Sequence, residues 1–271
     1  MDEIAHRLSA DWHNNPEQGY CLLEYHWLRR YATLHTCTLT EAAHLLPKRD
    51  SVDVEEIVPR HVIAELNDVS PVLAVAAVKL NDALLADGPY QRLDLEPGLR
   101  ALEPLLADTE GQPEADRVRA LLALDWLVRD YLVTWFRLTP ALVVHADSLA
   151  ALPPLAGQAV DYAEADSLVR AIRAAAHAAA DGIVASSWDA ASDAAQAAGV
   201  YTAWDAAEIG DAAITATVAA DFVTEAAETA IRVAIQHTEP EAATALLRPT
   251  VSALQESALA LFERMLAVSG E

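Results

Sequence analysis

Six of the nine histidines fall within the first 61 residues. Imidazoles at that density offer two chemistries, metal ligation and proton transfer near neutral pH. Cys21, His26, His35 and Cys37 are side chains of the types that hold zinc. Glu41 and His44, like Glu3 and His6, form a Glu-x-x-His pair. Residues three apart share a helix face, as a carboxylate-bridged di-iron centre requires. The weak metal-ligand candidates are therefore His26, His35, Cys37, Glu41 and His44.

The elements that must position these groups argue against a closed site. Leu23, Trp27, Tyr31 and Leu34 recur at helical spacing and predict a helix over about residues 16–35. On such a helix Cys21 and His26 diverge by about 140°, and His26 and His35 by about 180°. Four ligands cannot converge around an unbroken helix so arranged. Thr40 to Leu46 reads as a helix of under two turns, stopped by Pro47. A di-iron site needs four long helices and two more carboxylates. The bland reading, polar residues on partly exposed helix faces, is the better one.

Arg30-Tyr-Ala-Thr-Leu-His35 has the form Arg-x4-His. It resembles the motif of HEPN-type helical ribonucleases. That resemblance implies a phosphate-holding role for Arg30 and an acid/base role for His35. Tyr31 stands where those nucleases usually carry a polar residue, and the motif comes early in the chain, where theirs lies late. There is no GxSxG, no Walker loop, no GxGxxG after a strand and no HExxH.

Composition bounds the rest. Of 271 residues 53% are hydrophobic but only 6% aromatic, so the apolar fraction is mostly Ala, Leu and Val. That favours closely packed helices over a sheet-based core. The formal net charge of −23 repels nucleic-acid phosphates and anionic lipid. It suits solubility first and a basic partner second. The two cysteines make no disulfide framework. The N-terminus MDEIAHRLSADWH has no apolar signal region. The long apolar run from Ala120 to Phe136 carries Asp125, Arg129 and Asp130, so it is no membrane span. A cytoplasmic protein with free thiols is expected.

Further helices are expected over about 71–85, 95–107, from Pro113 onward, and from Pro140 to the LPPLAG cluster at 152–157. In the Pro113 helix Leu124, Val128, Tyr131 and Trp135 share one face, and Asp125 pairs with Arg129 at i,i+4. LPPLAG divides an N-terminal helical domain, 1–152, from an Ala-rich bundle, 159–271. Residues 171–230 are written almost in Ala and Asp. Helices are expected from Asp166 or Ser167 to about 186, from about Ser187 to Gly199, and from Thr202 to about His237. WDAA occurs at Trp188 and again at Trp204.

Small-residue stripes are expected at Ala190, Ala194 and Ala197, and at Val223, Ala227, Ala230 and Ala234. Polar stripes run through Asp189, Asp193 and Gln196, and through Asp221, Glu225, Glu228 and Arg232. Trp188, Tyr201, Trp204 and Phe222 supply bulk to an otherwise alanine-lined core. Leu247, Val251, Leu254, Ala258, Leu261 and Met265 make a heptad-like seam in the last helix, which Pro249 should kink or restart. The WDAA units and the ending LRPTVSALQESALALFERM resemble those of uncharacterised Ala/Asp/Trp-rich helical proteins of high-GC genomes. That resemblance implies no activity.

The expected fold is all-α, an irregular N-terminal helical subdomain plus an Ala-rich antiparallel helical bundle. The expected function is non-enzymatic: a helical binding or scaffold protein that self-associates as a homodimer or meets another, basic, protein. Nucleic acid and membrane are disfavoured as partners. No cofactor is expected; the alternative is a bound metal ion. The alternative is a metal-dependent or HEPN-like ribonuclease using the His-rich N-terminal region.

Overall fold

The computed structural model describes residues 69–85, 88–156, 162–180, 188–218 and 220–269. All regular structure among them is helical, and the fold is all-α. In chain order the α-helices are α1 (Pro71–Leu85), α2 (Glu96–Leu102), α3 (Pro113–Trp126), α4 (Leu132–Phe136), α5 (Val143–Ala150), α6 (Tyr162–Ala179), α7 (Trp188–Ala197), α8 (Val200–Thr217), α9 (Asp221–Ile235) and α10 (Pro240–Leu266). Short 3₁₀ turns at Leu93–Leu95, Glu103–Leu106 and Pro140–Leu142 join the shorter ones. Pro97 and Pro104 each sit in the first turn of a helical piece. A missing N–H costs nothing there, so these prolines divide residues 93–106 without breaking them.

One hydrophobic cluster runs through the described helices on both sides of LPPLAG. Helix α8 lies along α3 and α1, α6 packs on α9, and α7 packs on α9 and α10. At LPPLAG itself, Leu152 and Leu155 are buried, and the Leu155 amide donates to Asp125 Oδ1 at 2.7 Å.

The Pro113 helix buries Leu124, Val128, Tyr131 and Trp135 as its periodicity requires. It carries one irregularity. Residues Leu127–Tyr131 form a π turn, in which the Leu132 amide donates to the Leu127 carbonyl, five residues back. In an α-helix residues five apart diverge by about 140°. The wider turn instead brings the Trp126 and Tyr131 rings to 5.4 Å, with Tyr131 and Trp135 edge-to-face at 6.1 Å. The buried polar tips of two of these rings are used: Trp126 Nε1 donates to Ser257 Oγ and Tyr131 Oη to the Ala195 carbonyl. This aromatic column ties α3 and α4 to α10 and α7.

The Ala-rich half differs from expectation in four places. Helix α6 begins at Tyr162, a turn before Asp166. The buried alanines of α7 are Ala191, Ala194 and Ala195, with Ala198 buried just after it, while Ala190 and Ala197 are half-buried. The single helix expected from Thr202 to His237 is two, α8 and α9, because Val218 leaves helical geometry at ψ 0°. Arg232, placed by spacing on a polar stripe, is buried. The small-residue stripe at Val223, Ala227 and Ala230 is buried as expected, and Ala234 is half-buried.

The heptad seam of α10 is wholly buried within this chain. It is therefore an internal packing face. Helix α10 also runs unbroken through Pro249. Pro249 is exposed, so its ring meets solvent rather than a neighbouring helix.

Candidate functional site

The residues singled out for chemistry lie outside the described residues. This holds for Arg30 and His35, for the metal candidates His26, His35, Cys37, Glu41 and His44, and for Cys21, Glu3 and His6. Among the described residues, no group of three or more His, Cys, Asp or Glu side chains is placed to hold a metal ion. Three histidines are described. His145 is half-buried on α5 and His237 is exposed beyond α9. His177 is on α6, where its Nε2 lies 2.9 Å from Glu225 Oε1 on α9.

That last contact belongs to an interhelical clasp. Arg173 Nε donates to Glu225 Oε2 at 2.6 Å, and its guanidinium stacks on the Phe222 ring at 4.2 Å. Arg170 reaches the same ring at 5.1 Å and pairs with Asp166. The Arg173 hydrogen bond holds the Glu225 carboxyl below its ordinary value. Arg173 and His177, four apart, share a face of α6. The structure adds that α9 supplies the counter-charge, which one helix's periodicity does not contain.

The other prominent polar side chains likewise join helix to helix. Arg119 is 1% exposed. It donates to the carbonyls of Met265 and Val268 at the end of α10, to Asp116 and to Gln112. Asp116 in turn accepts from the hydroxyl of Ser70, which caps α1 by accepting from the Leu73 amide. The fully buried Gln255 donates to the carbonyls of Ala83 and Tyr90. Asp125 meets Arg129 and Leu155. Each group satisfies backbone or charge that packing would otherwise strand.

One surface region has a different character. Tyr201, Trp204 and Asp205 are half-buried on α8, and Ile209 on the same helix is 48% exposed. Residues three and four apart on a helix are neighbours, so these side chains form an outward strip. Lys79 of α1 borders it, 3.6 Å from Asp205 and 5.9 Å from the Tyr201 ring centroid. Burial raises the Asp205 carboxyl above its ordinary value, and Lys79 offsets this only in part. Among the described residues the Trp204 Nε1–H has no hydrogen-bond acceptor. Aromatic rings with a polar tip, one bulky aliphatic and a poorly solvated acid make a strip suited to contact with a protein surface. The sequence signal was the second WDAA unit, whose Trp and Asp both lie in the strip.

No known protein family, no curated protein and no solved structure matches this chain.

Proposed function

We propose that this protein is a non-enzymatic helical binding or scaffold protein that self-associates through helix faces, with the strip Tyr201–Trp204–Asp205–Ile209 of α8 in the contact. The observation that carries this reading is the strip itself: half-buried aromatics and an exposed Ile beside an acid that burial disfavours. Arg119, Gln255 and the Arg173–Glu225 pair, by contrast, join helix to helix. The heptad seam of α10 is not the contact, because the chain's own core fills it. A cytoplasmic setting goes with this proposal; among the described residues no helix is long and apolar enough to cross a membrane.

Light scattering of the full chain at micromolar concentration tests self-association. A dimer mass is expected, falling to the monomer in Ile209→Glu, which places a charge at an exposed site and spares the core. A monomeric wild type overturns self-association. A dimer that Ile209→Glu leaves intact overturns the strip. Native mass spectrometry on the same sample also reports bound metal. Stoichiometric metal would favour the metal-dependent alternative, which rests on residues 26–44.

A further inference from the structure

We draw no further inference here: the strongest candidate outside the α8 strip, the pair Arg170 and Arg173 stacked on Phe222 between α6 and α9, spends its guanidiniums on Asp166 and Glu225 of this same chain, and nothing in the structure points to a ligand that would displace them.

Discussion

Arg119 is the residue on which the described core depends most heavily for its polar satisfaction. Its planar fork serves two carbonyls, a carboxylate and an amide at once. Replacing it by Met keeps bulk but leaves Asp116 without its cation and takes the Arg119 donors from the carbonyls of Met265 and Val268. The expected cost is about 3 kcal/mol, within the range for breaking a buried pair from one side. It would be read as a lowered urea midpoint. Arg119→Lys should recover little, because one ammonium cannot reproduce the fork. A midpoint within error of wild type for Arg119→Met would refute this role.

Gly210 makes a second residue-scale case. A Cβ there would lie 2.5 Å from Ala120 Cβ and 2.9 Å from the Asp116 carbonyl. Helices α8 and α3 thus meet almost backbone to backbone. The next residue, Asp211, leaves helical geometry at φ −157° and ψ 78°, and its carboxylate accepts from the Ile214 amide and pairs with Arg117. Gly210→Ala should cost about 1–3 kcal/mol through overpacking. Pairing it with Ala120→Gly should return part of that, since the closest clash is with the Ala120 methyl. Thermal unfolding of the single and double variants decides it.

At the scale of elements, Pro249 and the α6–α9 clasp make separate predictions. Pro249 sits inside α10, where it removes one backbone hydrogen bond, yet the helix continues. The neighbouring seam residues Leu247 and Val251 are buried. Tertiary packing therefore holds a helix that local preference would break. Because Pro249 is exposed, Pro249→Ala should stabilise the fold by about 1–3 kcal/mol, raising the unfolding midpoint.

The clasp and the α8 strip respond to pH with opposite signs. Glu225 is held below its ordinary value of 4.5, so its contribution is full above that value and is lost as pH falls through the lowered one. Asp205 is raised above its ordinary 3.8, so the fold favours its protonated form. That preference is complete below 3.8 and disappears as pH rises through the raised value. At pH 7 Glu225→Gln should lower the urea midpoint and Asp205→Asn should leave it unchanged or raise it. At a pH near 3 both differences should shrink. Parallel trends in the two variants would contradict these assignments.

For the whole molecule the governing quantity is charge. Two copies at a formal −23 each repel, and salt screens that repulsion over a Debye length of about 8 Å at 0.15 M. Self-association through the α8 strip should therefore strengthen as salt rises. Binding of a basic partner should weaken over the same range. Sedimentation at 20 mM and 500 mM salt, on the order of the limits where screening changes most, reads the sign directly. A dimer that dissociates with added salt would mean an electrostatic contact and not the aromatic strip.

Much of the architecture was legible from residue types alone. Alanine content and 3.6-residue spacing determine an all-α fold, since each residue carries its helix preference wherever it sits. The buried faces of the Pro113 helix and of α10 follow from the same periodicity. The break at Gly199 follows from residue type, since Gly199 adopts φ 89°, which L side chains rarely take. What spacing could not supply was the partner of each face. The π turn, the continuation through Pro249, the burial of Arg232 and the Arg119 network arise from contacts between residues far apart in sequence. The α8 strip belongs to the same class. Periodicity put Tyr201 and Trp204 on a helix and gave them bulk for the core. Only the packing of α8 along α1 and α3 left them half-covered, with Asp205 beside Lys79 and Ile209 turned outward. A helix has several apolar directions when alanine lines most of it, and which of them faces water is settled by the neighbours it packs against.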